Sequence, residues 1–222
     1  VLRYFFVFFF FVIPFPLKAI DVGEVTSFIF PTTHAVAKEI KNTAHSARMV
    51  SVEVARLSSP QKGGNIIQTE TPDELLMTPS RILLQPQSSD IVRFYYNGPN
   101  DDKERYYRIY WTEQALTDDS VSSSQKNAIA TTSVRIGTIL VVTPRQENFS
   151  WKFTGEKVIN NGNVSFRLIA YGPCLHPKNG QPECREKHNI MPGDNRAFTR
   201  VDVKRKQSRI AIWHGNEFIS VK

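Results

Sequence analysis

The sequence predicts an all-β protein made of two β-sandwiches, and three observations carry that prediction. Helical periodicity is nearly absent; "TPDELLM" (71–77) is the segment that could form a turn or two of helix. Elsewhere short runs rich in Val, Ile, Tyr, Phe and Trp alternate with turn residues, at the spacing of sandwich strands. Pro144 closes one set of runs before another begins, because proline cannot continue a central ladder.

The opening "VLRYFFVFFFFVIPFPLKAID" stands apart from these runs. Arg3 supplies a basic start, and Phe5 to Ile13 form an apolar stretch of secretion-signal length. That stretch is short for a bilayer span and is broken by Pro14 and Pro16. Residues 1–20 read as a signal peptide cut near Ala19 or Ile20, with a membrane anchor as the alternative. Leu17 is a poor small residue for the −3 position of such a cut. After cleavage no membrane insertion is expected. The remainder suits two domains of about 100 residues each, placed at 21–144 and 145–222.

Within the first domain, "RMVSVEVARL" puts Val50, Val52 and Val54 on one face. "IVRFYY" follows a loop. "RYYRIYW" sets Tyr107, Ile109 and Trp111 on one side and Tyr106, Arg108 and Tyr110 on the other. After a polar loop comes "ATTSVRIGTILVVTPR" (130–145). Its first half alternates, as a half-exposed strand does; its second half is apolar on both faces, as in a buried strand. The strand therefore changes environment midway. The second domain offers "NFSWKF", "VSFRLIAYG", "AFTRVDV", "RIAIWH" and "EFISVK", with turns at "NNGN" and "GN".

Charge and motifs exclude several function classes. Taking Arg3 and Lys18 from the 28 basic residues leaves 26 against 21 acidic ones, a dispersed surplus of +5. "KRKQSR" (204–209) reads as a solvated strand face, and no nucleic-acid partner is expected. There is no nucleophile elbow, H-E-x-x-H or phosphate loop, and the five histidines share no catalytic spacing, so no enzyme is expected. Cys174 and Cys184, an even and close pair in an exported chain, read as a disulfide. With His176 and His188 they also spell C-x-H…C-x3-H, a four-ligand zinc set. Zinc knuckles ordinarily use C-x2–4-C, so the disulfide is preferred. No nucleotide, metal or other cofactor is expected.

"MTPSRILLQPQSSDIVRFYY" (77–96) resembles a signature of the periplasmic pilus chaperones, carried here by Thr78, Pro79, Leu84, Pro86, Val92 and Arg93. "ERYYRIYW", the alternating strand ended by Pro144, the "NNGNV" turn and the two-cysteine hairpin follow in the family's order. The likeness is to the alternate branch of that family. It implies two immunoglobulin-like sandwich domains in an angled, boomerang arrangement. It implies a periplasmic chaperone whose partners are pilin subunits lacking their last strand, and an outer-membrane usher that receives them. The chaperone would lend the 130–142 strand to the subunit.

The even positions of that strand, Ala130, Thr132, Val134, Ile136, Thr138, Leu140 and Val142, are the expected subunit-binding residues, since one parity faces one side. Burying each aliphatic member contributes about 1.5–3 kcal/mol, less the costs of association. The better-known branch anchors the subunit's terminal carboxylate with basic residues in the first strand and the donor strand. Here "EVTSFIFP" has no basic residue, so the anchor is not carried over. Arg93, Arg108, Arg135 and Arg145 are candidate cleft cations, Arg93 and Arg108 being equally readable as structural. Self-association of the free chain, hiding its apolar edge, stays open. The competing readings are an immunoglobulin-like extracellular adhesion or binding module, and a strand whose even face packs inside its own domain.

Overall fold

The computed structural model describes residues 19–116, 133–178, 181–215 and 217–222, and among these it contains strands and no helix. The first ten strands are β1 (Ile20–Asp21), β2 (Thr26–Ile29), β3 (Ala35–Asn42), β4 (Arg48–Leu57), β5 (Ile66–Ile67), β6 (Leu75–Thr78), β7 (Arg81–Leu84), β8 (Ser89–Tyr96), β9 (Arg105–Ala115) and β10 (Ser133–Val142). They form one sheet in the order β1-β3-β8-β6 and a second in the order β2-β10-β9-β4-β5, with β7 also on β4. The inward parity of each sheet builds one core. Ile40, Val92 and Phe94 from the first sheet meet Val50, Val52, Tyr107, Ile109, Trp111 and Leu140 from the second. Phe94 meets Trp111 edge-on, ring centroids 6.2 Å apart. The inward rows read from the sequence, Val50–Val52–Val54 and Tyr107–Ile109–Trp111, all touch this core.

The remaining strands are β11 (Trp151–Phe153), β12 (Lys157–Asn160), β13 (Phe166–Lys178), β14 (Gln181–Ile190), β15 (Asn195–Ala197), β16 (Arg209–His214) and β17 (Glu217–Ser220). They pair as β11-β12-β15 and β14-β13-β16-β17. Val158, Phe166, Leu168, Ile210 and Ile212 fill their separate core. Among the described residues no ladder joins the two sets, so the molecule is two β-sandwiches. The "NNGN" turn sits between β12 and β13. There Gly162 lies so close to Asn148 that an added Cβ would fall 2.2 Å from the Asn148 carbonyl oxygen, so only glycine fits without a shift.

Three expectations are corrected. Ile20 is a fold residue: it is buried in the core and belongs to β1, so the sandwich begins at 20 rather than 21. "TPDELLM" is a turn followed by β6, because the Glu74 carboxylate is drawn inward by buried donors and the chain cannot wind on as helix. "AFTRVDV" is strand at Ala197 and bridges β13 again at Val201, opposite Cys174, but is irregular between them. The carboxylate of Glu186 accepts from the backbone N–H groups of Thr199, Arg200 and Val201, donors that a neighbouring strand would otherwise take.

Glu74 belongs to an ionic network under the first sandwich. Both its oxygens accept from Arg56 Nη1, at 2.6 and 2.7 Å, and it accepts from the Tyr107 hydroxyl. Arg105, almost fully buried, is forked by Asp101 at 2.6 and 2.7 Å and held by Glu70 at 2.9 Å. Hydrogen bonds from Arg105, opposed by burial, hold the Asp101 carboxyl down at about 2, against 3.8 when free. Arg105 lowers Glu70 in the same direction. A folded-state value below the unfolded one stabilises the fold above the unfolded value and is lost as pH falls through the folded one. Melting temperature is therefore expected to drop as pH falls from about 4 to about 2. Asp101→Asn should flatten that part of a melting-versus-pH series; an unchanged slope would contradict the assignment.

Candidate functional site

The site is built on the uncovered half of β10. One edge of β10 pairs with β9 along its whole length, from Ser133 opposite Gln114 to Val142 opposite Arg105. Its other edge pairs with β2, in parallel, only over Ile139–Val142. The entering chain causes this partial cover. It starts in the opposite sheet as β1, turns at Gly23, whose φ of 65° suits glycine, and only then joins β10 as β2. Among the described strands, Ser133 to Thr138 therefore expose one edge with unpaired backbone groups, the situation that invites strand addition.

The seven even positions separate along this boundary. Ala130 and Thr132 lie outside the described residues. Val134 is 40% exposed and Ile136 is half-buried against the core. Thr138, Leu140 and Val142 are buried in their own sandwich, Thr138 accepting from the Trp111 indole N–H at 3.0 Å. β2 and the facing sheet cover that end of the strand. The even face thus packs in its own domain at Thr138, Leu140 and Val142, with Ile136 against the same core, and opens to solvent at Val134.

The odd positions explain the doubly apolar second half. Val141 is buried and Ile139 half-buried in a cluster with Leu57, Tyr106 and, from the second sandwich, Met191. The second domain thus covers the outer face of β10 where β2 covers its edge. Polar ties flank this contact. Glu104 accepts from Ser165 N–H at 2.7 Å, and Asn163 Nδ2 donates to the Asp102 carbonyl at 2.9 Å. Burial pushes the Glu104 carboxyl up.

A groove of about 440 Å³ runs between the sandwiches, walled by Phe28, Phe30, Val141, Phe166 and Trp213. Arg167 is the charged residue among those that line it. None of the four candidate cations does. Arg93 is exposed on the outer face of the other sheet. Arg108 lies across Gly137 on the outer face of β9. Arg135 pairs with Glu53 at 2.6 Å and stacks over Tyr110, 3.9 Å from the ring centroid. Arg145 donates to the carbonyls of Phe30 and Thr33, tying the end of β10 to the loop after β2. Arg167 had no sequence signal, since a groove between domains assembles positions far apart in the chain.

The cysteine hairpin is also settled. Cys174 and Cys184 are bonded, S–S 2.02 Å, which uses both sulfurs of the four-residue zinc set. His188 Nε2 lies 2.9 Å from Glu186, and His176 is exposed. "KRKQSR" is solvated at Lys204, which meets Glu156, and at Arg205, which meets Asp202, but it is a turn leading into β16 at Arg209 rather than a strand face, and its Ser208 is buried.

Comparison with known proteins gives the following. Residues 149–221 match the family described as the EcpB C-terminal domain. The chain is 47% identical, over 207 residues covering 93% of each chain, to the probable fimbrial chaperone EcpB of Klebsiella pneumoniae subsp. pneumoniae. It has the same identity and coverage with the probable fimbrial chaperone EcpB of Escherichia coli K12. Its fold matches the class 5 fimbriae chaperone CfaA, with a TM-score of 0.56 at 15% identity, covering 90% of this chain and 97% of that one.

Proposed function

The chain belongs to the EcpB family of fimbrial chaperones, and from that premise we propose that it binds pilin subunits in the periplasm and delivers them to an outer-membrane usher. The observation that carries the proposal is the uncovered edge of β10, with Val134 exposed beside half-buried Ile136. A pilin that lacks one strand exposes a groove and two unpaired edges. The Ser133–Thr138 segment supplies backbone partners to such an edge, and Val134 and Ile136 fill its pockets. Residues 1–19 serve as the leader that routes the chain for export. The junction of the two domains lies at Pro144, between the last residue of β10's ladder and the first of β11's.

The groove supports a second contact. Its walls are aromatic and Arg167 carries its charge, so it suits the apolar C-terminal end of a subunit with the terminal carboxylate at Arg167. This takes the place of the basic pair that the first strand and β10 lack.

Photo-crosslinking tests the main contact. A photoreactive phenylalanine replaces Val134 or, separately, Arg135, and the chain is co-expressed in the periplasm with a pilin subunit of its own fimbrial system. A subunit adduct is expected from position 134 and not from 135, because neighbours on a strand face opposite sides. A subunit that co-purifies without an adduct at 134 would show that binding uses another surface. A subunit that is neither bound nor protected would remove the chaperone reading itself.

A further inference from the structure

Glu113 continues the inward row Tyr107, Ile109, Trp111 on β9 and is 3% exposed. A carboxylate there needs compensation. Its Oε2 accepts from the backbone nitrogen of Ile20 at 3.0 Å. Its Oε1 is 3.7 Å from Arg48 Nη1, an ion-pair distance too long for a hydrogen bond. Across β10, its neighbour on the same face is Val134, and across β4 it is Val50. Among the described residues, the donor within hydrogen-bond distance is thus a main-chain nitrogen at the first strand of the fold. An amide there brings a single N–H and no charge.

On the proposed reading of residues 1–19 as a leader, that nitrogen sits at the junction where the leader ends. Ile20 is buried in the core and β1 pairs with β3, so the sandwich requires Ile20. Ala19, the residue before it, is small, as the residue preceding a leader cut should be. The Ala19 carbonyl accepts from Thr43 N–H and Oγ1, and Thr43 is exposed, so water can replace that partner.

We propose that a leader peptidase hydrolyses the Ala19–Ile20 bond and that the α-ammonium group so released is the counter-ion of buried Glu113. Water adds its hydroxyl to the Ala19 carbonyl carbon, the C–N bond breaks, and the Ile20 nitrogen takes up hydrogen. The amine is protonated at neutral pH. It brings a full positive charge to the place where the amide brought a dipole. Processing therefore completes the electrostatics of the first sandwich directly beneath Val134, and the unprocessed chain lacks that ion pair.

The test begins with intact mass of the periplasmic protein, which is expected to start at Ile20; a start at any other residue overturns the proposal. The full mature chain is then made in two forms, one beginning at Ile20 and one keeping Ala19 and a short uncharged extension. The Ile20 form is expected to melt about 3–8 °C higher, and Glu113→Gln should close that gap. Equal melting, or a gap that persists in Glu113→Gln, overturns the pairing. Should Glu113→Gln fail to fold, acylation of the Ile20 amine in the unsubstituted chain decides. Protection in the folded state relative to urea supports the pair, and equal rates overturn it.

Discussion

Val134→Gln is expected to weaken subunit binding by roughly 100-fold or more while the free chain melts as before. In the bound state the substitution removes the burial of one aliphatic side chain, about 1.5–3 kcal/mol. It also places an amide without partners in an apolar pocket, about 1–3 kcal/mol more. At about 1.4 kcal/mol per tenfold, the sum gives that loss. In the free chain Val134 is 40% exposed and lies outside the buried core, so stability should change by no more than about 1 kcal/mol. Glutamine is the informative choice. Glutamate would stand directly opposite Glu113 on the same face, and its repulsion would lower stability for reasons unrelated to the subunit. Leu140→Gln has the same parity and should behave oppositely: Leu140 is fully buried, and the free protein should unfold. Thermal melting of each free variant, paired with titration by a subunit, separates the cases. If Val134→Gln folds normally and still binds fully, strand donation through this face is excluded.

Glu74→Ala is expected to lower stability by about 3–5 kcal/mol, because removing one partner of a buried ion pair leaves the other charge uncompensated. Arg56 would keep only Glu70 at 3.2 Å, and the Tyr107 hydroxyl would lose its acceptor in the interior. At about 2–4 °C per kcal/mol for a chain of this size, the melting temperature should fall by roughly 6 °C at least. Calorimetry on the free protein measures it. A change below about 1 kcal/mol would mean that the network is dispensable.

Much of the fold was readable in the sequence because strand parity is a local property. "RMVSVEVARL" coincides with β4, and the inward rows of β4 and β9 follow from alternation alone. Parity tells which residues share a face and is silent about what covers it. Val134 and Leu140 share a face, yet one is open and the other is core, and the difference lies in where β2 ends. The same limit hid Glu113. A polar residue closing an apolar row reads as the point where a strand leaves the core, and its partner lies 93 residues earlier in the chain. "TPDELLM" misled for a related reason, since an inward carboxylate with distant donors leaves no local mark.

The short parallel pairing of β2 has a further consequence. A chain that adds to the open edge of β10 can zip toward Val142 only until it meets β2 at Ile139. Strand pairing alone tolerates slippage by two residues, since every second position presents the same face. Here the chaperone's own first strands end the track after Thr138. β2 is a mechanical stop, and it sets the register in which any guest strand comes to rest.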